Sequence, residues 1–371
     1  MSIVKARAIA IYLPQFYPIS ENDAVWGKGY TEWICTAKAK PLFRGHYQPR
    51  IPADLGFYDL RVPETRIAQA EMAREAGIEG FMYWHYWFGN GKRLLERPFD
   101  EVLRTGQPDF PFCLGWANHS WRTSTWKALD HFHPENNMIV EQLYPGEDDI
   151  VSHFNNVLPA FKDKRYITVD GKPVFVVWSP LEIPDFKHFK DVWNEMAVNN
   201  GLKGVHFIGL SSCEEKDYLK VYDAGFDAII PGYMWKAETI LQTKLIKYGL
   251  NYLRGKIDDR LIPLAKYDYK KVIKYLSSDL DRKDNVYPSV IPQWDRSPRS
   301  GRKAIIYYGS TPELFKQHIL DVYDKIKDKP MDKRILFVRS WNEWGEGNYV
   351  EPDQKFGRGY LNALKEVLVE D

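Results

Sequence analysis

Apolar and polar positions along the chain fall into two alternating patterns. Short runs dense in β-branched and aromatic residues recur eight times, at Arg7 to Leu13, Gly80 to Trp87, Phe112 to Trp116, Val174 to Trp178, His206 to Leu210, Ala228 to Pro231, Ser289 to Gln293 and Ile335 to Trp341. Runs this short and this continuously apolar are the pattern of strands buried on both faces of a parallel sheet. Between several of them the period becomes helical. Ile67, Ala70, Ala73 and Ala76 share one face of a segment that opens at Pro63, where a missing N–H costs nothing, and closes at Gly77. Thr311-Pro312-Glu313 opens another, with Phe315, Ile319, Val322 and Ile326 on one face, and Tyr360, Leu361, Leu364 and Leu368 form a last one. Asp170-Gly171 is a two-residue turn that predicts a small hairpin leading into the fourth strand. Strand and helix alternating eight times predict an α/β fold, a closed (β/α)8 barrel, with a doubly wound open sheet as the competitor.

The chain has 371 residues. A plain barrel needs about 250, so about 120 are expected as insertions. The long intervals follow the first strand (Pro14 to Val62), the third (Ala117 to Ile150) and the sixth (Gly232 to Tyr287), on the face where barrel enzymes keep their sites. No internal repeat, low-complexity tract or linker interrupts the pattern, so residues 1–371 are expected to form a single catalytic domain.

Charge narrows the partners. Lys plus Arg number 51 against 50 Asp plus Glu, a net +1, without the asymmetry expected of a nucleic-acid or anionic-membrane binder. No apolar run approaches the ~18 residues of a membrane span. Cys35, Cys113 and Cys213 have neither disulfide-framework nor zinc spacing and read as reduced thiols. The first apolar stretch is too short for a secretory leader and lacks a cleavage site, so a cytoplasmic enzyme is expected. Aromatic content is high: 13 Trp, 23 Tyr and 19 Phe make 15% of the chain, which suits a surface that stacks on sugar rings.

Candidate chemistry gathers just after the strands. Gln15-Phe-Tyr17 follows the first, His85-Tyr-Trp87 ends the second, Asn118-His119-Ser-Trp121-Arg122 follows the third, and Tyr233-Met-Trp235 the sixth. Gln293-Trp-Asp295-Arg296 follows the seventh and Trp341-Asn-Glu343-Trp-Gly-Glu346-Gly347 the eighth. One such cluster is most simply strand-end packing; six at six strand ends of a barrel converge on one pocket. Glu343 and Glu346, three residues apart, can face one side of a turn about 5 to 6 Å apart, near enough to divide into an acid and a base. Alone, such a pair decorates many solvated helices, but Trp341, Trp344, Gly345 and Gly347 around it suit a sugar-lined cleft. No P-loop, dinucleotide fingerprint or nucleophile elbow is present, and His131-Phe-His133 has no partner set at zinc spacing. Asp279-Leu-Asp281 has the form of a metal-chelating DxD, yet its charged surroundings read better as a helix end.

Several motifs resemble a known family: Tyr12-Leu-Pro-Gln-Phe-Tyr-Pro18, Trp26-Gly-Lys-Gly-Tyr-Thr-Glu-Trp33, Lys40-Pro-Leu-Phe-Arg-Gly-His-Tyr-Gln-Pro49, Asp54-Leu-Gly-Phe-Tyr-Asp59, Trp116-Ala-Asn118, Val169-Asp-Gly-Lys-Pro173, and Trp341-Asn-Glu-Trp-Gly-Glu-Gly347 with Glu351-Pro-Asp353. Together they look like the WbsX-like surface-polysaccharide proteins, often labelled glycosyltransferases, which are similar to the family 99 glycoside hydrolases (endo-α-mannanases and endomannosidases). The resemblance covers nearly the whole chain and implies a TIM-type (β/α)8 barrel. It also implies that Glu343 is the base that deprotonates a sugar 2-hydroxyl to give a 1,2-anhydro intermediate, with Glu346 as general acid and then base. That route retains configuration, needs no metal or other cofactor, and requires O2 and the leaving group to be trans, as in α-mannosides or α-rhamnosides. Two positions depart from the pattern: Tyr17 stands where the family has His, and His119 follows Trp-Ala-Asn where it has Glu.

Strand-end position and resemblance together predict a sugar site lined by Tyr12, Gln15, Trp33, His46, His85, Trp116, Asn118, Trp121, Trp235, Asp295 and Asn342, around the catalytic pair. Three functions compete. The first is a retaining glycoside hydrolase or transglycosylase acting on a bacterial surface polysaccharide or its precursor. The second is a nucleotide-sugar glycosyltransferase of polysaccharide or lipopolysaccharide biosynthesis, against which the missing nucleotide signature weighs. The third is a catalytically silent carbohydrate-binding protein, against which the intact Glu343 and Glu346 weigh. For the first, Glu346 is expected to hold its proton above the ordinary carboxylate range while Glu343 stays ionised.

Overall fold

In the computed structural model, which describes residues 3–123, 137–211, 214–242 and 264–370, the eight apolar runs are eight parallel strands. They are β1 (Arg7–Tyr12), β2 (Ile78–Trp87), β3 (Phe112–Trp116), β4 (Lys172–Val177), β5 (His206–Ser211), β6 (Ala228–Pro231), β7 (Ser289–Val290) and β8 (Ile335–Val338). Each pairs with its sequence neighbours, and β8 lies between β1 and β7. The circle closes from β6 to β7 through one residue: Ile229 N–H donates to Asn285 O at 3.0 Å, and Tyr287 N–H donates to Ile229 O at 2.9 Å. A sheet whose first and last members meet in this way is a (β/α)8 barrel, and the open doubly wound alternative is excluded.

Two strands are shorter than the sequence pattern predicts. β7 stops at Val290 because Pro292, two residues on, has no N–H to give a ladder. β8 stops at Val338, but Arg339 N–H still donates to Val290 O at 2.9 Å and Trp341 N–H to Ile11 O at 2.7 Å. The chain is therefore held to both neighbouring strands as it turns into the carboxylate segment.

Among the described residues seven helices alternate with the strands: α1 (Pro63–Glu75), α2 (Arg97–Thr105), α3 (Glu147–Phe161), α4 (Phe186–Asn199), α5 (Glu215–Asp223), α6 (Pro312–Ile326) and α7 (Gly359–Leu368). α6 begins where its sequence asks, with the Thr311 side chain accepting from Leu314 N–H, and its apolar face of Phe315, Ile319, Val322 and Ile326 is wholly buried. Burying each such side chain is worth roughly 1.5–3 kcal/mol, far more than helix propensity contributes. The β6 to β7 connection breaks the pattern. Its described residues form a helix Tyr233–Leu241 at the barrel mouth, a strand Ala265–Asp268 and short turns from Tyr269 to Arg282.

Those turns belong to a satellite of the main core. A small sheet of Ala265–Asp268, Ile305–Tyr308 and Trp294–Asp295 packs Tyr267, Trp294 and Tyr307 against Tyr233 and Met234, which roofs one side of the mouth. The predicted hairpin is present, Thr168–Val169 against Lys172–Val177, with Asp170 and Gly171 both at positive φ. Cys35 and Cys113 are buried free thiols, while Cys213, His131 and His133 lie outside the described residues. Asp281 closes a capping box with Ser278 and accepts from Tyr233, and Asp279 pairs with Lys325, so the DxD pair completes a helix end. Among the described residues no helix is long and apolar enough to cross a membrane.

Candidate active site

At the C-terminal end of the barrel a cleft of about 270 Å³ opens, and both Glu343 and Glu346 line it. The turn that carries them is fixed from below. Asn342 accepts from Leu13 N–H at 2.8 Å and donates to Leu13 O at 3.0 Å, tying the segment to the end of β1. Trp344, between the two glutamates, is buried, stacks on Tyr349 with ring centroids 3.7 Å apart, and donates its indole N–H to Glu351 at 2.7 Å. With Trp344 locked downward, Glu343 and Glu346 are left to face the cleft.

Arginines set their charge. Arg299 Nη1 donates to Glu346 Oε1 at 2.6 Å and lies 3.9 Å from Glu343 Oε2, while its Nε donates to Glu32 at 2.9 Å. Arg296 Nη2 lies 3.4 Å from Glu346. Burial alone raises a carboxyl's pKa, but Arg296, Arg299 and Arg339 outweigh it at Glu346, which is held below the ordinary carboxylate range. Glu343 has only Trp84 Nε1 as a hydrogen-bond donor, at 3.2 Å among the described residues; burial first, then the charge of Glu346, push it up to about 7. The expected order is thus reversed. Arg296, Arg299 and Arg339 surround Glu346, so Glu343 is the member of the pair that holds a proton more readily.

Gly345 explains how Glu32 reaches this cluster. A side chain at Gly345 would run into Glu32 Oε1 and Arg299, so the backbone here approaches as only glycine allows. Glu32 is wholly buried in the first turn of the helix Glu32–Lys38, inside the long β1 insertion. Burial raises its pKa, and Arg299 opposes the rise.

Of the eleven side chains expected around the sugar, Gln15, Trp121 and Trp235 line the cleft. The other eight stand behind its wall. Tyr12 donates to Gln69 at 2.6 Å beneath α1, and Trp33 donates to Tyr58 O and packs on Trp344. His85 bonds His153 at 2.9 Å, Trp116 donates to Trp87 O, and Asn118 binds Ser179 and Tyr144. His46 and Asp295 meet at 2.8 Å in a smaller neighbouring cavity of about 110 Å³, and Asn342 holds Leu13 as described. Burial raises the Asp295 pKa, but His46 and Arg50 outweigh it and keep the carboxyl low.

The physical reason is strand parity. Successive side chains of a strand point to opposite faces. Trp84 and Tyr86 of β2 line the cleft while His85 and Trp87 turn out to the helices. Leu13 and Ala117, not Tyr12 and Trp116, face inward at the ends of β1 and β3. The remaining wall is His119, Trp178, Met234, Glu238, Trp294, Ile305 and the arginines 296, 299 and 339. Tyr17 is not on it: its hydroxyl accepts from Arg97 N–H at 3.3 Å. His119 is, with a pKa lowered by burial against the opposing charge of Glu346. Glu238 accepts from Tyr307 at 2.9 Å, and burial pushes it up to about 7. Among the described residues no group of three or more His, Cys, Asp or Glu is arranged to hold a metal ion.

This geometry can be set beside known proteins. The sequence model of the family described as Glycosyltransferase WbsX matches residues 8–364. Two proteins named uncharacterized protein WxcX, from two strains of Xanthomonas campestris pv. campestris, are each 32% identical over 98% of this chain. The match covers 50% of each, so the chain spans about half the length of the curated relatives it matches. Among solved structures, the GH99 endo-alpha-mannosidase of Bacteroides thetaiotaomicron superposes with a TM-score of 0.56 at 15% identity, over 98% of this chain and 96% of that one. A chain described as a glycoside hydrolase-like protein gives 0.58 at 17% identity, over 99% and 94%. These two likenesses are ones of fold.

Proposed function

The chain belongs to the WbsX glycosyltransferase family, and we propose that its cleft makes or breaks a bond at the anomeric carbon of a sugar in a bacterial surface polysaccharide or its precursor. One observation carries this reading: two partly buried carboxylates of unlike charge share a cleft walled by Trp84, Tyr86, Trp121, Trp178, Trp235 and Trp294. Aromatic faces take the C–H surface of a pyranose, and unlike carboxylates are what glycosidic chemistry uses.

For a sugar whose O2 and leaving group are trans, as in an α-manno or α-rhamno residue, Glu343 takes the 2-hydroxyl proton. Its pKa of about 7 makes it a stronger base than an ordinary carboxylate and still half ionised at neutral pH. O2 then attacks C1 and the leaving oxygen departs with the bonding pair toward the arginines. In the second step an incoming hydroxyl opens the 1,2-anhydro ring at C1 and gives its proton to the ionised Glu346, which passes it to the departed leaving group or to solvent, while Glu343 returns its proton to O2. Two inversions at C1 give net retention. The part of the resemblance that makes Glu346 the acid of the first step is the part Arg299 argues against.

If the incoming hydroxyl is water the reaction is hydrolysis; if it belongs to a second sugar it is transfer. The transfer reading gains from the family description and from an ionised Glu346, which suits a leaving group that departs without a proton. A panel of aryl α-mannosides and α-rhamnosides against Glu343→Gln and Glu346→Gln tests the scheme. Glu343→Gln is expected to lose about 10² to 10⁴ in rate with every leaving group. Rescue of Glu346→Gln by a good leaving group would return to Glu346 the role of acid, and full activity of either variant would remove that residue from the mechanism.

A further inference from the structure

We infer that the sugar entering this cleft carries an oxyanion, a phosphate or a carboxylate, and that Arg339 with Arg296 reads it. The inference rests on the carbohydrate reading above and names the substrate class for the same site.

Arg339 leaves the end of β8 directly into the cleft. It is only 8% exposed, and its guanidinium is clamped between the indoles of Trp178 and Trp294, 5.1 and 5.3 Å from their ring centroids. The other buried arginines have carboxylate partners: Arg66 has Glu101, Arg165 has Asp163, Arg50 has Asp295, and Arg299 has Glu32 and Glu346. Among the described residues, none places a carboxylate within 4.0 Å of Arg339, and none accepts a hydrogen bond from its side chain. A guanidinium stays charged in a protein and presents five N–H donors in a fixed fork. The two indole faces offset part of its desolvation and leave the donors of the fork unused.

Arg296 adds a second unfilled position. Its Nε is buried without a partner, and its one carboxylate contact, Glu346 at 3.4 Å, is shared with Arg299. The positive charge of Arg296 is felt at Arg339, so two like charges face one region of the cleft. Such an arrangement is costly when empty and is relieved by an anion lying between the two forks, which carboxylates and phosphates match in geometry. Glu343 and Glu346 oppose this charge from across the cleft, yet among the described residues neither comes within 4.0 Å of Arg339, and Glu346 is already engaged by Arg299 at 2.6 Å. A neutral glycan would leave both forks unfilled. A glycosyl phosphate or a uronic acid would fill them.

The test is isothermal titration of the full chain with α-mannose 1-phosphate, glucuronate, methyl α-mannoside and inorganic phosphate. At least one acid is expected to bind tenfold or more tighter than the neutral glycoside. A lead for the phosphate assigns the anion to an activated donor, and a lead for glucuronate assigns it to an acidic residue of the glycan. Arg339→Met, which keeps the packing between the indoles, is expected to abolish the preference. Melting temperatures report whether that variant folds. If it does not, Arg296→Gln at the cleft mouth must weaken the preferred acid at least threefold. Equal affinity of acids and neutral glycoside for the parent, or unchanged acid binding in the folded variants, overturns the inference. Turnover of neutral glycans that needs Glu343 and shows no acid preference would sink it while leaving the carbohydrate reading intact. Tight binding of both acids with no sugar preference over inorganic phosphate would instead sink the carbohydrate reading.

Discussion

Arg299 donates to Glu346 over 2.6 Å and, beside Arg296 and with Arg339, keeps Glu346 the charged member of the cleft pair. Its other edge holds Glu32, 267 residues away in sequence. Removing one partner of a buried ion pair leaves an uncompensated charge, at a cost of roughly 3–5 kcal/mol. Arg299→Gln is therefore expected to lower the urea midpoint strongly and to cut turnover by about 10² or more, as loss of a preorganised electrostatic contact does. A variant as stable and active as the parent would mean that Arg299 organises nothing.

The pH dependence of kcat/KM reports the free enzyme and so Glu343 directly. With a pKa raised to about 7, Glu343 keeps its proton below that pH and cannot serve as a base. The rate is expected to fall about tenfold per pH unit below 7 and to be level above it. Glu343→Gln should retain a small residual rate without that limb. A profile that instead declines above pH 7 would make Glu343 the proton donor.

Gly345→Ala tests the close approach of the glutamate turn to Glu32. The added methyl meets Glu32 Oε1, and neither buried partner is the free end of a flexible chain. A rate loss of about 10- to 100-fold with a small change in melting temperature is expected, because a misplacement near 1 Å is enough to disturb a positioned pair. Unchanged kinetics would show that the contact yields.

Glu351 lies under the site, accepting from Tyr58 at 2.9 Å, Gln69 at 2.6 Å and Trp344 at 2.7 Å. Burial pushes its pKa up to about 7 from 4.5, so the folded protein holds a proton that the unfolded chain releases. Stability from this group is complete below pH 4.5 and is lost as pH rises to 7, on the order of 3 kcal/mol across the window. Glu343 and Glu238 slope the same way, so the difference between parent and Glu351→Gln in urea denaturation at pH 5 and pH 8 is the measurement. Identical slopes would place the Glu351 proton elsewhere.

Strands, their order and the carboxylate pair could be read from residues alone, because each leaves a local mark. Which side of a strand faces the cleft could not. β2 is buried along nearly its whole length, so Tyr83, Trp84, His85, Tyr86 and Trp87 show no polar alternation to reveal parity. A shift of one residue exchanges His85 for Trp84 and Tyr86. The arginines were hidden for another reason. Arg296 and Arg299 sit in a polar stretch where an arginine ordinarily points to water, Arg339 is a lone charge at the end of an apolar run, and only folding brings them against Glu32, Glu346 and the two indoles.

The closure at Ile229 has a mechanical consequence. A barrel is a hoop of staves, and here seven seams are stitched along parallel strands while the eighth is stitched at a single residue. Trp235 and Glu238 hang from the stave on one side of that seam, Trp294, Arg296 and Arg299 from the stave on the other, and Arg339 with both glutamates from β8 beyond it. What the seam lacks in stitches its roof supplies, because Tyr233 and Met234 pack with Trp294 and Tyr307 across it and Tyr307 donates to Glu238. The mouth keeps its aperture by a lashing over the rim, not by the hoop beneath.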